Sequence, residues 1–234
     1  MMKRMFMLLS LALMVVAAMA LSGVAQAASQ SAKCKQAAIL TFGPSFDTTA
    51  YNFIAGSDRK NDNFSSKGKE GVADVFCGFG GNDEIGTLAE GDIFIGGAGG
   101  DSVIYNFVAT FIGGDGNDYV YDNVAGGTFD GGVGIDTVDF NDGKFDGGAG
   151  DDSVESNFGT FNGDAGSDRV IAFNYGTFNG GDGNDSVATN KDGGNFNGEA
   201  GDDSVSSNLG IFNGGDGIDT VDTGNQPVDG PSGT

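Results

Sequence analysis

The chain has 234 residues, including 44 Gly, 33 acidic and 11 basic residues but no His and no Trp, and its formal net charge is -22. Without His it cannot form a Ser–His or Cys–His catalytic pair or a histidine-ligated metal site. The acidic charge also argues against nucleic-acid binding, which depends on Lys and Arg contacts to phosphates. Such charge can attract cations or simply keep a surface solvated, and the positions of the acids decide between the two.

Residues 1–27 have the pattern of a secretory signal peptide. Lys3 and Arg4 precede an apolar run over residues 5–21, and Ala25-Gln26-Ala27 matches a cleavage site. A transmembrane anchor is the alternative, but no stop-transfer charges follow the run. We therefore expect an exported protein, periplasmic, surface-located or secreted, whose mature chain has no transmembrane anchor.

Residues 28–75 precede a long repeat, and we interpret them as an N-terminal cap for its first coil, since solenoids need their open ends covered. The two cysteines of the chain are Cys34 and Cys77. In an exported protein they can form a disulfide that pins this cap, and two unpaired thiols are the alternative. Residues 222–234 are interpreted as a frayed C-terminal tail.

Residues 76–221 contain nine copies of one repeat, with successive copies 16 to 18 residues apart. Each copy has an Asp in the same position: Asp83, Asp101, Asp118, Asp136, Asp152, Asp168, Asp185, Asp203 and Asp219. Seven residues before each Asp stands a Phe: Phe76, Phe94, Phe111, Phe129, Phe145, Phe161, Phe178, Phe196 and Phe212. Two residues after each Asp stands an Ile or Val: Ile85, Val103, Val120, Val138, Val154, Val170, Val187, Val205 and Val221.

A repeat of this length is too short for two packed helices, and its glycine content disfavours helix. The residues that flank the Phe and Val positions are mostly polar, which is typical of short strands with one buried position. We therefore predict two strands per repeat, one supplying Phe and the other Val or Ile. Stacking these coils places Phe on Phe and Val on Val in two facing ladders.

The turn between the two strands has a constant length and a constant pattern, as in Gly96-Gly97-Ala98-Gly99-Gly100-Asp101. This pattern resembles the calcium-binding nonapeptide of the RTX (repeats-in-toxin) family, G-G-x-G-x-D-x-U-x. Six copies match its Gly and Asp positions, and three copies replace the second Gly with Phe79, Asp164 or Glu199. The resemblance implies an all-β fold, a right-handed parallel β-roll (β-solenoid) of about nine coils with a small N-terminal cap.

Glycine turns let carbonyl oxygens converge, and a carboxylate adds the hard anionic oxygen that Ca²⁺ prefers. Stacked coils also place the Asp side chains in a file about 5 Å apart, where like charges repel unless a cation lies between them. The alternative is a set of solvated acidic turns without metal. The resemblance implies up to eight Ca²⁺ ions between adjacent turns, held by the nine Asp residues above and by backbone carbonyls. The predicted carbonyl ligands belong to Gly96, Gly97, Ala98, Gly99, Gly113, Gly114, Asp115, Gly116, Gly131, Gly132, Val133, Gly134, Gly147, Gly148, Ala149, Gly150, Gly180, Gly181, Asp182, Gly183, Gly214, Gly215, Asp216 and Gly217.

The opposite turn of each repeat departs from the RTX family, which usually has a second nonapeptide there. An Asn occupies it instead: Asn106, Asn123, Asn141, Asn157, Asn174, Asn190 and Asn208. We therefore expect a single row of calcium ions. The Asn column is either the turn chemistry of that edge or a ladder of hydrogen-bonded amides, and both interpretations stay open.

The sequence favours an exported, non-catalytic, calcium-binding protein that folds on Ca²⁺ binding and acts as a structural or surface module. No nucleophile elbow, zinc-binding helix or phosphate-binding loop is present. The alternative is calcium-dependent binding of ice or of a cell-surface or matrix polysaccharide on the outer face beside the Phe column. That face would present Thr110, Thr128, Thr160, Thr177, Asn162, Asn179, Asn197 and Asn213, with Lys144, Asn195 and Ile211 as interruptions. Self-association of the coils stays open.

Overall fold

The computed structural model describes residues 30–64 and 71–222. The predicted signal peptide and, apart from residue 222, the predicted tail lie outside these residues. Within the described part, no helix combines the length and the apolarity needed to cross a membrane.

The described residues form one helix and nineteen strands. The helix α1 spans Gln30–Phe42. The strands are β1 (Asn52–Ala55), β2 (Asp74–Gly80), β3 (Glu84–Leu88), β4 (Ile93–Ala98), β5 (Ser102–Asn106), β6 (Thr110–Asp115), β7 (Tyr119–Asn123), β8 (Thr128–Val133), β9 (Thr137–Asn141), β10 (Lys144–Ala149), β11 (Ser153–Asn157), β12 (Thr160–Ala165), β13 (Arg169–Asn174), β14 (Thr177–Asp182), β15 (Ser186–Asn190), β16 (Asn195–Ala200), β17 (Ser204–Asn208), β18 (Ile211–Asp216) and β19 (Thr220–Val221).

The strands stack as a parallel β-solenoid of about nine coils, which confirms the predicted architecture. The first sheet has the order β1-β2-β4-β6-β8-β10-β12-β14-β16-β18, and the second has the order β3-β5-β7-β9-β11-β13-β15-β17-β19. We call them the Phe sheet and the Val sheet, after the residues that each turns inward. Phe145 lies in register with Phe129 and Phe161, and the Val column is aligned in the same way. Each repeat is therefore one coil.

The core runs between the two sheets along the whole stack. The Phe residues from Phe94 to Phe196 and the Val residues from Val103 to Val205 are fully buried. Neighbouring rings from Phe94 to Phe196 stack with centroids 4.7 to 4.9 Å apart and interplanar angles of 4 to 9°. This spacing equals the distance between hydrogen-bonded strands, so rings and backbone share one repeat distance.

The helix α1 packs on the outer face of the Phe sheet, at its N-terminal end. Its buried Cys34 and Ala38 contact Val75 and Ile93, which point away from the Phe core. Cys34 and Cys77 form the predicted disulfide, with Cα atoms 5.5 Å apart. The helix thus covers apolar outer-face residues that the first two strands would otherwise expose.

The solenoid also extends further toward the N-terminus than the nine counted repeats. Strand β1 pairs with β2 and places Ile54 beside Phe76. Asn63 bridges to Glu84 on the Val sheet. Phe64 is buried with its ring against Phe76 and Phe94. Residues 52–64 therefore form an incomplete extra coil that closes the end of the ring stack.

Candidate metal centre

Because the acidic turn has the same length in all nine repeats, its Asp residues form a row of carboxyl groups inside the solenoid. We call the nine repeat Asp residues, from Asp83 to Asp219, the Asp file. The eight from Asp83 to Asp203 are at most 1% exposed, whereas Asp219 at the open end is half-buried. The carboxyl groups of these eight residues point into the solenoid, so they are not solvated as the alternative interpretation expected.

One oxygen of each carboxyl group in the Asp file accepts a hydrogen bond from the backbone. The Oδ1 atom accepts a hydrogen bond from the backbone N–H of the aspartate in the preceding coil. From Asp101 to Asp203 these N···O distances are 2.6 to 2.8 Å, and the bond from Asp203 to Asp219 is 3.1 Å. The side chains thus link coil to coil without help from any other side chain.

The second oxygen, Oδ2, has no hydrogen-bond partner in any of the eight buried members of the Asp file. It points at the first glycine of its own turn. A β-carbon at Gly113 would collide with Oδ2 of Asp118 and would lie 2.6 Å from the carbonyl oxygen of Gly131 in the next coil. The missing β-carbon therefore leaves space in which a carboxylate oxygen and a carbonyl oxygen from adjacent coils converge.

Burial raises the pKa values of these carboxyl groups, because desolvation disfavours the charged form. Neighbouring carboxylates raise them further for most members, and the accepted N–H bond lowers them. The pKa is raised to about 7 for Asp101, to about 8 for Asp118 and to about 6 for Asp136. It is raised to about 7 for Asp152 and Asp168. A folded chain therefore carries either protons or a compensating cation in this file at neutral pH.

The donor set at each turn consists of hard oxygens, which suit Ca²⁺. Among residues 30–64 and 71–222, no three His, Cys, Asp or Glu side chains gather as a metal-binding group. An ion in the Asp file would thus take one carboxylate per coil and complete its shell with backbone carbonyls, as the RTX resemblance implies. The carbonyl of the third residue in each turn, such as Val133, already accepts a hydrogen bond from a backbone N–H of the preceding coil. One lone pair of that oxygen is left for a metal ion.

The opposite edge of the solenoid carries an amide ladder. Asn106, Asn123, Asn141, Asn157, Asn174 and Asn190 are fully buried. Each Nδ2 donates to Oδ1 of the Asn in the next coil at 2.8 to 2.9 Å. Each also donates to a backbone carbonyl. Of the two interpretations of this column, the structure shows the hydrogen-bonded ladder, and this edge offers amides in place of the carboxylates of the Asp file.

The predicted Thr and Asn array lies on the outer face of the Phe sheet. Thr160 is in register with Thr177 and both are half-buried. The Asn amides bond to one another, since Asn179 donates to Asn162 and Asn197 donates to Asn179, each at 2.8 Å. Part of the hydrogen-bonding capacity of this face is therefore used within the protein.

One member of the Asp file was missed by the repeat count. The N–H of Asp62 donates to Oδ1 of Asp83 at 2.6 Å, so Asp62 continues the file into the incomplete extra coil. Its Oδ2 accepts the N–H of Ser57 at 2.6 Å. The signal was the Asp-x-apolar spacing of Asp62 and Phe64. It was hidden because Gly56 lies six residues before the Asp, one more than in the other copies.

In comparisons with known proteins, no family model, no curated sequence and no solved structure matches the chain. The RTX resemblance accordingly rests on the nonapeptide residues alone.

Proposed function

We propose that this protein is an exported, calcium-binding β-solenoid that acts as a non-catalytic structural or surface module and folds on binding Ca²⁺. The supporting observation is the row of eight buried carboxyl groups, each with one oxygen that lacks a hydrogen-bond partner. A buried polar atom without a partner destabilises a fold, so a repeated one calls for a ligand.

The charge balance supports a cation in the Asp file. Two carboxylates one coil apart repel by about 3 kcal/mol at the effective dielectric constant typical of proteins. The ion pairs among the described residues, Lys33 with Asp58 and Lys144 with Asp146, lie outside the file. Compensation must therefore come from bound protons or from a metal ion.

Calcium suits the file better than other common metals. It accepts six to eight oxygen ligands in flexible geometry, including backbone carbonyls, whereas Mg²⁺ demands a small octahedral shell. The chain has no His, and both cysteines are in the disulfide. Softer metals that prefer nitrogen or sulfur therefore gain nothing here.

Calcium binding and folding are coupled in this proposal. A single coil cannot bury its Phe and Val alone, so stability comes from the stack. A ligand that bridges adjacent coils adds its binding free energy to that stacking. A chain with the predicted signal peptide would then meet sufficient calcium only after export.

The test is a calcium titration of residues 28–234 after chelation, followed by far-UV circular dichroism and isothermal calorimetry, with Mg²⁺ as the control metal. We expect a cooperative gain of strand signal with Ca²⁺ alone. Full strand signal in excess chelator, unchanged by Ca²⁺, would falsify the proposal.

Paired Asp-to-Asn variants locate the ions. Asp118→Asn with Asp152→Asn removes two buried charges of the Asp file, and we expect fewer bound ions and weaker calcium-driven folding. Asp115→Asn with Asp182→Asn is the matched control, because these acids occupy exposed third positions of equivalent turns. Equal effects of the two pairs would mean that calcium responds only to net charge.

A further inference from the structure

The outer face of the Val sheet carries a regular series of exposed aromatic side chains. Tyr105, Phe140 and Phe173 are 39%, 40% and 40% exposed. They belong to one column of in-register residues on the sheet. In successive coils this column reads Tyr105, Asp122, Phe140, Ser156 and Phe173. We call these three residues the aromatic file, and its members stand on every second coil.

The geometry of the aromatic file follows from the coil repeat. Two coil steps place successive members about 9.6 Å apart. The core rings beneath stay nearly parallel from coil to coil, with interplanar angles of 4 to 6°, so the axis of the stack hardly bends. The file therefore follows one in-register column along an unbent axis over the five coils from β5 to β13.

The fold itself does not require these rings. The inward positions of the strands are filled by Val and Asn, and the aromatic file lies outside both ladders. Tyr121 touches Tyr105 and Phe140 edge-on, with centroids 6.1 and 5.6 Å away, so the file is part of a larger apolar surface. Exposed apolar surface of this extent marks an interaction site.

We propose that the aromatic file binds a flat, β-1,4-linked polysaccharide of the cellulose or chitin type, with the glycan chain parallel to the solenoid axis. Aromatic ring faces attract the C–H groups of a pyranose face through dispersion and the ring quadrupole. In an extended β-1,4 chain, successive sugars are turned over, so equivalent faces recur every second sugar. Rings on every second coil match that alternation.

The residues around the aromatic file suit a neutral glycan. Asp122 is half-buried between Tyr105 and Phe140 and can bond to a sugar hydroxyl, while Asp139 and Glu155 add negative charge that would repel an acidic polysaccharide. The Lys191 ammonium lies 4.4 Å from the Phe173 centroid. Lys191 therefore covers one face of Phe173, and a sugar that stacks on that face must displace it.

The experiment measures depletion of the protein by microcrystalline cellulose and by chitin, with amylose resin as an α-linked probe of different shape. It is run at saturating calcium, after the strand signal has been recorded. The triple variant Tyr105→Ser, Phe140→Ser, Phe173→Ser should bind at least about tenfold more weakly, given the contribution of each aromatic contact. The matched control is Phe158→Ser, which removes an exposed ring that lies outside the file and stacks on Tyr175, and this variant should bind normally.

Equal binding by the wild type and the triple variant overturns the proposal, as does an equal loss in the Phe158→Ser control or equal retention on amylose. A concentration-dependent dimer in analytical ultracentrifugation, abolished by the triple variant and unaccompanied by glycan depletion, would assign the face to a second copy instead. Glycan binding by the aromatic file requires the folded solenoid but not calcium itself. A folded chain that ignores calcium counts against the proposed metal function, and a folded chain that ignores both glycans counts against the aromatic file.

Discussion

At the scale of single residues, the second position of the glycine turn decides how well each coil closes. The six glycines there have φ values of 100 to 111°. Phe79, Asp164 and Glu199 take the same position with φ values of 73, 70 and 78°. Non-glycine residues in this left-handed region cost about 1 to 2 kcal/mol each. The three departures from the nonapeptide are thus strained.

Restoring glycine at these positions should stabilise the protein. We expect Asp164→Gly and Glu199→Gly each to raise the free energy of unfolding by about 1 kcal/mol, since the strain removed exceeds the added freedom of the unfolded chain. Urea denaturation at saturating calcium measures this. Asp182→Gly is the control, because Asp182 is not in the left-handed region, and it should be neutral or destabilising. A lower denaturation midpoint for Asp164→Gly would contradict the strain argument.

At the scale of structural elements, the Asn ladder fastens the turn opposite the Asp file. Asn141 accepts from Asn123 at 2.8 Å and donates to Asn157 at 2.8 Å and to the carbonyl of Thr160 at 3.0 Å. Because each amide is buried, removing one leaves polar groups unsatisfied on both sides. Removing an Asn from the middle of the ladder should therefore destabilise the protein more than removing one from its end.

The variant Asn141→Ala should lower the free energy of unfolding by about 2 to 3 kcal/mol, since the Asn123 amide and the Thr160 carbonyl lose partners inside the protein. Asn208→Ala, at the half-buried end of the ladder, should cost less than about 1 kcal/mol. Thermal and urea unfolding compare the two variants. Equal losses at both positions would show that the ladder adds nothing beyond local turn formation.

The second element-scale feature is the disulfide that holds α1 on the Phe sheet. It closes a separation of 43 residues, and loops of this size contribute about 3 to 4 kcal/mol. Because coils contact only their neighbours, we expect Cys34→Ser with Cys77→Ser to loosen α1 and the first strands alone. Hydrogen exchange should show lost protection over residues 30–55 and retained protection from β10 onward. Uniform loss along the stack would mean that the solenoid unfolds as one cooperative unit.

At the scale of the whole molecule, the Asp file couples folding to protons and metal. The pKa values of its central members lie near 6 to 8 in the folded chain, against an ordinary value of 3.8. Between about pH 4 and 7 the folded state therefore holds more protons than the unfolded state. Its stability is greatest below the unfolded value and falls as pH rises through the folded values.

We accordingly expect chelated protein to gain strand signal when the pH is lowered from 8 to 5, as measured by far-UV circular dichroism. In the presence of calcium, the strand signal should instead fall when the pH is lowered, because protons compete with the ion for the same carboxylate oxygens. The Asp118→Asn, Asp152→Asn pair should flatten both responses. Chelated wild type that loses strand signal over this pH interval would contradict the interpretation.

The sequence alone determined the repeat, the two strands per coil and the inward Phe and Val columns, whereas the structure decided between a Cys34–Cys77 disulfide and two free thiols. The repeat and its columns follow from spacing, because parallel stacking in register puts each residue on its equivalent in the next coil. A single-residue insertion was enough to hide the incomplete coil around Asp62, since counting depends on constant intervals.

Only the tertiary structure decided what each column faces. Spacing could not show that the carboxyl groups turn inward, that one oxygen of each stays without a partner, or that the Asn amides form a ladder. Nor could it place α1 on the outer face, or show that Tyr105, Phe140 and Phe173, each directly before an Asn of the ladder, are exposed in one column. Their alignment arises from strand register, a property of neighbouring coils in space.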